Sequence, residues 1–126
     1  MSTSSVLLDT HVLLWILSGS KKIKSLTWLK NFSHWTVSPI SLLEMKFLKE
    51  VGRLKVDFEP IISRLKADER FRIHTVSLED ICEAAFGLIW TRDPFDRLLV
   101  AHSMTASIPF GTCDRLILQN YSNIVF

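Results

Sequence analysis

Glycine, proline and cysteine are all scarce in this chain: four, four and two residues among 126. The first two counts exclude collagen and low-complexity repeats, and 48% hydrophobic against 22% charged residues excludes a disordered chain. The two cysteines, Cys82 and Cys113, form no CxxC pair and have no histidine beside them at metal-ligand spacing. A structural zinc site and a disulfide scaffold are thereby set aside, and two reduced thiols in a cytoplasmic protein are expected. Apolar runs are short as well. None nears the ~18–20 residues that cross a bilayer, so no membrane association is expected, and Val12 to Leu17 lacks the basic region that precedes a secretion signal. Charge of one sign does not prevail either. Fifteen Lys and Arg against thirteen Asp and Glu leave +2, too little for net charge to signal nucleic-acid binding.

What is present fits a single domain over residues 1–126 with one continuous organisation, since no repeat, linker or charge block interrupts it. Ser5 to Leu8 reads as a buried strand, followed by a helix closed by Gly19. A second helix is expected over Lys22 to Phe32 with Ile23, Leu26 and Leu29/Lys30 inward, and a second strand over His34 to Ser38. Ser38-Pro39 starts a third helix, with Ser38 as cap and Pro39 in its first turn, running to about Val51. A short helix over Glu59 to Glu69, a strand over Phe71 to Ser77 and a helix over Leu78 to Ile89 come next. Arg92-Asp93-Pro94 launches a long helix to Ala106; SIPFGT, Asp114 to Asn120 and SNIVF then read as strand, helix and strand. This alternation implies an α/β/α sandwich around a short, mainly parallel sheet.

Five acids carry the functional signal. Asp9 and Asp114 each follow a strand and open a helix, and Asp93 and Asp96 start the long helix. In an open parallel sheet the carboxyl ends of the strands border the ligand crevice. Each of these aspartates could also be no more than a helix cap, and Asp93-Pro94 with Asp96 has the spacing of a capping box. Glu44 is harder to explain that way. It falls within an apolar stripe of Ile40, Leu43, Phe47, Leu48 and Val51, while Lys46, Lys49, Glu50 and Arg53 take the polar side. A carboxylate on a buried face needs a compensating cation, unless its long side chain reaches solvent from the stripe's edge. Carboxylates gathered in one crevice repel one another, and a hard divalent cation such as Mg²⁺ or Mn²⁺ removes the conflict. Such a site can polarise a phosphate, supply a hydroxide nucleophile and steady the leaving oxygen, which suits phosphodiester hydrolysis.

Four blocks, LLDTHVLLW at Leu7 to Trp15, SPISLLEMKFLKEVGRL at Ser38 to Leu54, DPFDRLLVAHS at Asp93 to Ser103 and GTCDRLI at Gly111 to Ile117, together resemble the PIN-domain proteins of the VapC toxin type. The resemblance spans essentially the whole chain. It implies a metal-dependent endoribonuclease with Mg²⁺ or Mn²⁺, the toxin of a type II toxin–antitoxin pair, dimeric and held by a cognate antitoxin protein. By position it makes Asp9, Glu44, Asp96 and Asp114 the acidic quartet, with Asp9 and Asp96 the principal metal ligands. Asp93 becomes a cap with a supporting role, and Thr112 a group that orients a ligand or water or caps the last helix. The chain departs from the family's common pattern at Leu43, Leu48, Thr91 and His102, where an aromatic, Lys, His and Gln are frequent. None of these removes a quartet acid, but they leave open which RNA is contacted and how.

Arg92, Arg97 and Arg115 neighbour these acids and are expected either to grip flanking phosphates or to neutralise the cluster. His11 and His102 could touch RNA or be ordinary surface or core residues, and Lys21, Lys22, Lys24 and Lys30 read as a solvated face. Trp15, Trp28 and Trp35 could meet a partner or simply pack the core. Two other readings compete: a catalytically silent PIN-like module that binds RNA or protein, and a phospho-accepting receiver-like domain. The second lacks the paired acids after the first strand and an aspartate close behind FRIHTVS.

Overall fold

A computed structural model describes residues 4–126; Met1 to Thr3, the first residues of the expected domain, lie outside the described residues. The alternation of apolar side chains along β1 (Ser5–Leu8) sets the architecture. Val6 and Leu8 point to one face of the sheet and Leu7 to the other, each fully buried, so β1 needs cover on both sides. Five strands form the sheet in the order β3-β2-β1-β4-β5, with β2 (His34–Val37), β3 (Phe71–Ile73), β4 (Phe110–Gly111) and β5 (Ile124–Val125), and every pairing is parallel.

One core joins Val6 and Leu8 to α1 (Thr10–Ser18), α2 (Pro39–Glu50) and α3 (Phe58–Ala67), through Leu13, Met45 and Leu65 among others. The opposite core joins Leu7 and Phe110 to α4 (Leu78–Ala85), α5 (Pro94–Ala106) and α6 (Arg115–Asn120), through Ile81, Leu99 and Ile117. The result is the three-layer α/β/α sandwich with an all-parallel sheet. In β4, Gly111 is required by close approach: a Cβ there would lie 2.5 Å from the Trp28 ring.

Several elements are shorter or different from expectation. Residues 22–32 form two 3₁₀ turns, Lys21–Ser25 and Thr27–Asn31, rather than one helix. The Ser25 hydroxyl donates to the Lys22 carbonyl, the acceptor an α-helix would have given to the Leu26 N–H, and that N–H turns to Ile23 O instead. Leu26, Trp28 and Leu29 are nevertheless buried, and Trp35 with them, which places two of the three early tryptophans in the core. The strand after residue 70 ends at Ile73, where His74 turns its ring into a buried histidine pair. Helix α4 stops at Ala85 because Arg97 donates to the carbonyls of Ala85 and Phe86, meeting the acceptors that a helix end leaves free.

The stripe on α2 is also partitioned differently. Ser41, Glu44, Met45 and Leu48 face inward, while Leu43, Phe47 and Val51 are exposed. Burying Ser41 lets α2 approach α1 closely enough for the Thr10 hydroxyl to donate to Ser41 Oγ at 2.9 Å.

Candidate active site

At the carboxyl ends of the strands, Asp9, Glu44, Asp93, Asp96 and Asp114 line one crevice of about 310 Å³. Four elements bring them there. Asp9 leaves β1 and sits at the N-cap of α1 without using its side chain as a cap, so its carboxylate stays available. Glu44 projects from the inward face of α2. Asp93 caps α5 in earnest: its Oδ1 accepts from the N–H groups of Phe95 and Asp96, which fixes the turn that presents Asp96. Asp114 does the same for α6, accepting from Leu116 and Ile117. Asp93 and Asp114 are thus helix caps that also line the crevice, whereas Asp9 lines it without capping.

Thr112 links two of the acids. Its hydroxyl donates to Asp9 Oδ2 at 2.6 Å in the buried interior and accepts from the N–H of the exposed Asp114 at 3.0 Å. One buried threonine therefore aims the Asp9 carboxylate and anchors the start of the Asp114 turn.

The electrostatics are those of crowded negative charge. Burial, followed by the charges of Asp9, Asp93, Asp114 and Glu44, pushes the Asp96 carboxyl up to about 8. Burial raises Asp9 against the pull of the Thr112 hydrogen bond, and it raises Glu44 too, with Asp9 and Asp93 adding to the effect. Glu44 Oε1 is buried and has no hydrogen-bond partner. Among the described residues the one ion pair is Arg70–Asp68, so no protein cation is ion-paired with this cluster.

The arginines lie elsewhere than the sequence suggests. Arg97 is held by backbone carbonyls of the α4 terminus, and Arg92 and Arg115 are exposed and do not line the crevice. The cation that does line it is Arg53, with His11 beside Asp9 and an aromatic wall of Trp15, Phe47 and Phe95. Sequence reasoning assigned Arg53 to the solvated side of α2. The signal was Gly52, whose φ of 77° reverses the chain and returns Arg53 over the last turn of the helix, its N–H on Leu48 O. His102, by contrast, is fully buried, away from the crevice. Cys113 reaches the crevice, but burial and Asp9 push its thiol up, so it is no ready nucleophile.

Among the described residues no three His, Cys, Asp or Glu side chains are already drawn into a ligand group. The donor chemistry still fits a hard divalent cation. Mg²⁺ keeps most of its waters and needs only one or two carboxylates directly. Oxygen-only donors, mutually raised carboxyls and an orphaned buried oxygen on Glu44 are what such an ion would relieve.

A parallel α/β/α sandwich with acids converging at its strand ends is an arrangement that phosphodiester-cleaving enzymes can use. Within it the match is specific: the family model for the PIN domain covers residues 6–121. The chain belongs to the PIN-domain family of nucleases. No curated protein matches it in sequence. Among solved structures it resembles a toxin-antitoxin complex from Klebsiella pneumoniae, with a TM-score of 0.69, 20% identity and 96% of each chain covered. It also resembles VapBC2 from Rickettsia felis bound to a DNA fragment from their promoter, with a TM-score of 0.67, 17% identity and 96% of each chain covered.

Proposed function

We propose that this nuclease is a divalent-metal-dependent endoribonuclease and the toxin of a toxin–antitoxin pair, with Asp9, Glu44, Asp96 and Asp114 as its working acids. The observation that carries the reading is Glu44 Oε1, buried and unpartnered in the same crevice as Asp9 and Asp96. An anionic oxygen left in that state costs several kcal/mol, roughly, unless a cation completes it.

Asp9 and Asp96 would hold Mg²⁺ or Mn²⁺ principally, with Glu44 and Asp114 completing its surroundings directly or through water. When bound, the ion supplies Lewis-acid stabilisation of charge on the scissile phosphate. The chain's own residues do the rest. Thr112 keeps Asp9 aimed, Asp93 sets the α5 turn that presents Asp96, and the buried floor keeps the carboxylates from relaxing into solvent. Attack by water on phosphorus, with the bond to the leaving ribose oxygen breaking and a proton passing to that oxygen, would then take place among these acids, the Asp93 and Asp114 turns being held by their backbone caps.

An antitoxin partner is supported by the two structural relatives, whose descriptions name such complexes, and by the exposed apolar residues Leu43 and Val51 on α2. A homodimer and a reducing, cytoplasmic setting complete the reading; Cys82 and Cys113 are both free thiols.

The test is cleavage of a panel of structured RNAs by antitoxin-free protein, with Mg²⁺ or Mn²⁺, with EDTA, and with Asp96→Asn. Cleavage that requires metal and is lost in Asp96→Asn is expected. Folded protein that binds neither metal nor RNA would overturn catalysis and leave the binding-module reading in its place.

A further inference from the structure

Two phenylalanines stand where apolar surface is least expected. Phe47 lies one turn beyond Glu44 on α2 and is 42% exposed, although the helix buries Glu44 in its stead. Phe95 immediately precedes Asp96 in the first turn of α5. Their ring centroids are 5.5 Å apart with planes inclined by 35°, so the two rings form one tilted ledge rather than two separate contacts. Both line the crevice that holds the acids. Arg53 reaches the same crevice with no carboxylate paired to it.

We infer that the Phe47–Phe95 ledge is a stacking platform for the nucleobase next to the scissile phosphate, with Arg53 taking a neighbouring phosphate. The inference rests on the ribonuclease reading above and adds to it the residues that select the substrate.

The physical reason is adjacency. A phosphate brought to Asp9 and Asp96 carries its own nucleoside within the same crevice, and the wall that nucleoside meets is aromatic. Every base has a π face that an aromatic ring can cover, so such a platform is tolerant of sequence. A base within a duplex is already stacked on both faces and cannot be offered to the ledge without unstacking. Arg53, a planar donor at the rim, suits a phosphate oxygen by charge and by geometry. A protein side chain could also cover the ledge, and that is the alternative the binding test separates.

Binding of a short mixed-sequence RNA strand tests this, measured by fluorescence anisotropy on the parent protein with Ca²⁺ in place of Mg²⁺ so that turnover does not intervene. The same strand annealed to its complement is the comparison. The single strand is expected to bind at least about tenfold more tightly than the duplex. Phe47→Ala should weaken single-strand binding by roughly ten- to a hundredfold, and Phe47→Trp should restore it. Because Phe47 is exposed, neither change threatens the fold, and Arg53→Gln gives an independent loss that added salt should reduce. Equal affinity for strand and duplex, or unchanged binding in Phe47→Ala, would overturn the inference, leave the ribonuclease reading intact and hand the ledge to a protein partner. Failure of the parent protein to cut or bind any RNA would overturn the ribonuclease reading and this inference with it.

Discussion

Without a divalent cation the acidic crevice should work against folding, and Asp96→Asn should therefore make the metal-free protein more stable. In the folded chain Asp96 holds its proton up to about pH 8, whereas its ordinary value is 3.8. The folded state thus binds this proton more tightly than the unfolded state does. Stability falls as pH rises from about 4, and the loss is complete above about 8. At ~1.4 kcal/mol per pH unit the gap between the two values sets a ceiling of about 6 kcal/mol. Asp96 is only partly buried and shares its field with Asp9, Asp93, Asp114 and Glu44, so about 2–3 kcal/mol is the reasonable expectation for one substitution. Asparagine keeps the shape and cannot ionise. Urea unfolding in EDTA should show Asp96→Asn more stable than the parent at about pH 8, with the difference shrinking towards about pH 4. Adding Mg²⁺ should reverse the order, because only the parent gains the binding energy. A variant less stable than the parent in EDTA at alkaline pH, or a difference independent of pH, would refute the electrostatic account of the crevice.

His102 is pulled down to about 4 by burial and by His74, so it folds neutral while the unfolded residue titrates near 6.5. Its contribution is complete above about 6.5 and is lost as pH falls towards 4, by at most ~3 kcal/mol. His102→Gln should flatten that acid limb in a pH series of unfolding curves. Thr112→Val keeps the volume but removes the donor to Asp9 and the acceptor for the Asp114 N–H, so a loss of about 1–3 kcal/mol is expected. In RNA cleavage it should lower kcat more than it raises KM. Gly111→Ala sets a methyl against the Trp28 ring and should cost about 1–3 kcal/mol, read by urea unfolding and by a change in tryptophan fluorescence.

Much of the fold was legible because local pattern and tertiary role coincide. Ser5–Leu8 reads as a strand buried on both faces, and Val6, Leu7 and Leu8 divide between the two cores accordingly. Asp93-Pro94 reads as a cap, and it is one. The misses share a cause: side chains that satisfy backbone groups far away or out of period. Ser25 diverts a single carbonyl and splits the expected second helix into two 3₁₀ turns. Arg97 reaches eleven and twelve residues back to end α4, which no local motif announces. On α2 the stripe is right in part: Leu48 and Glu44 are buried as read, whereas contact with α1 through Ser41 turns Leu43, Phe47 and Val51 towards solvent.

That rotation is also what makes the site. Turning α2 to bury Ser41 and Met45 places Glu44 against Asp9 and Asp96 and leaves Phe47 facing the crevice. A helix that buried every apolar residue of its stripe would have hidden Phe47 as well as Glu44, giving a larger core and no aromatic wall beside the acids. The cost is visible in an unpartnered buried oxygen and in the proton that Asp96 retains well above the ordinary carboxyl range. Proteins keep such local conflicts where something bound relieves them. In the proposed ribonuclease a cation would relieve the surplus negative charge on the floor, and an RNA strand would cover the surplus aromatic surface on the wall of the same crevice.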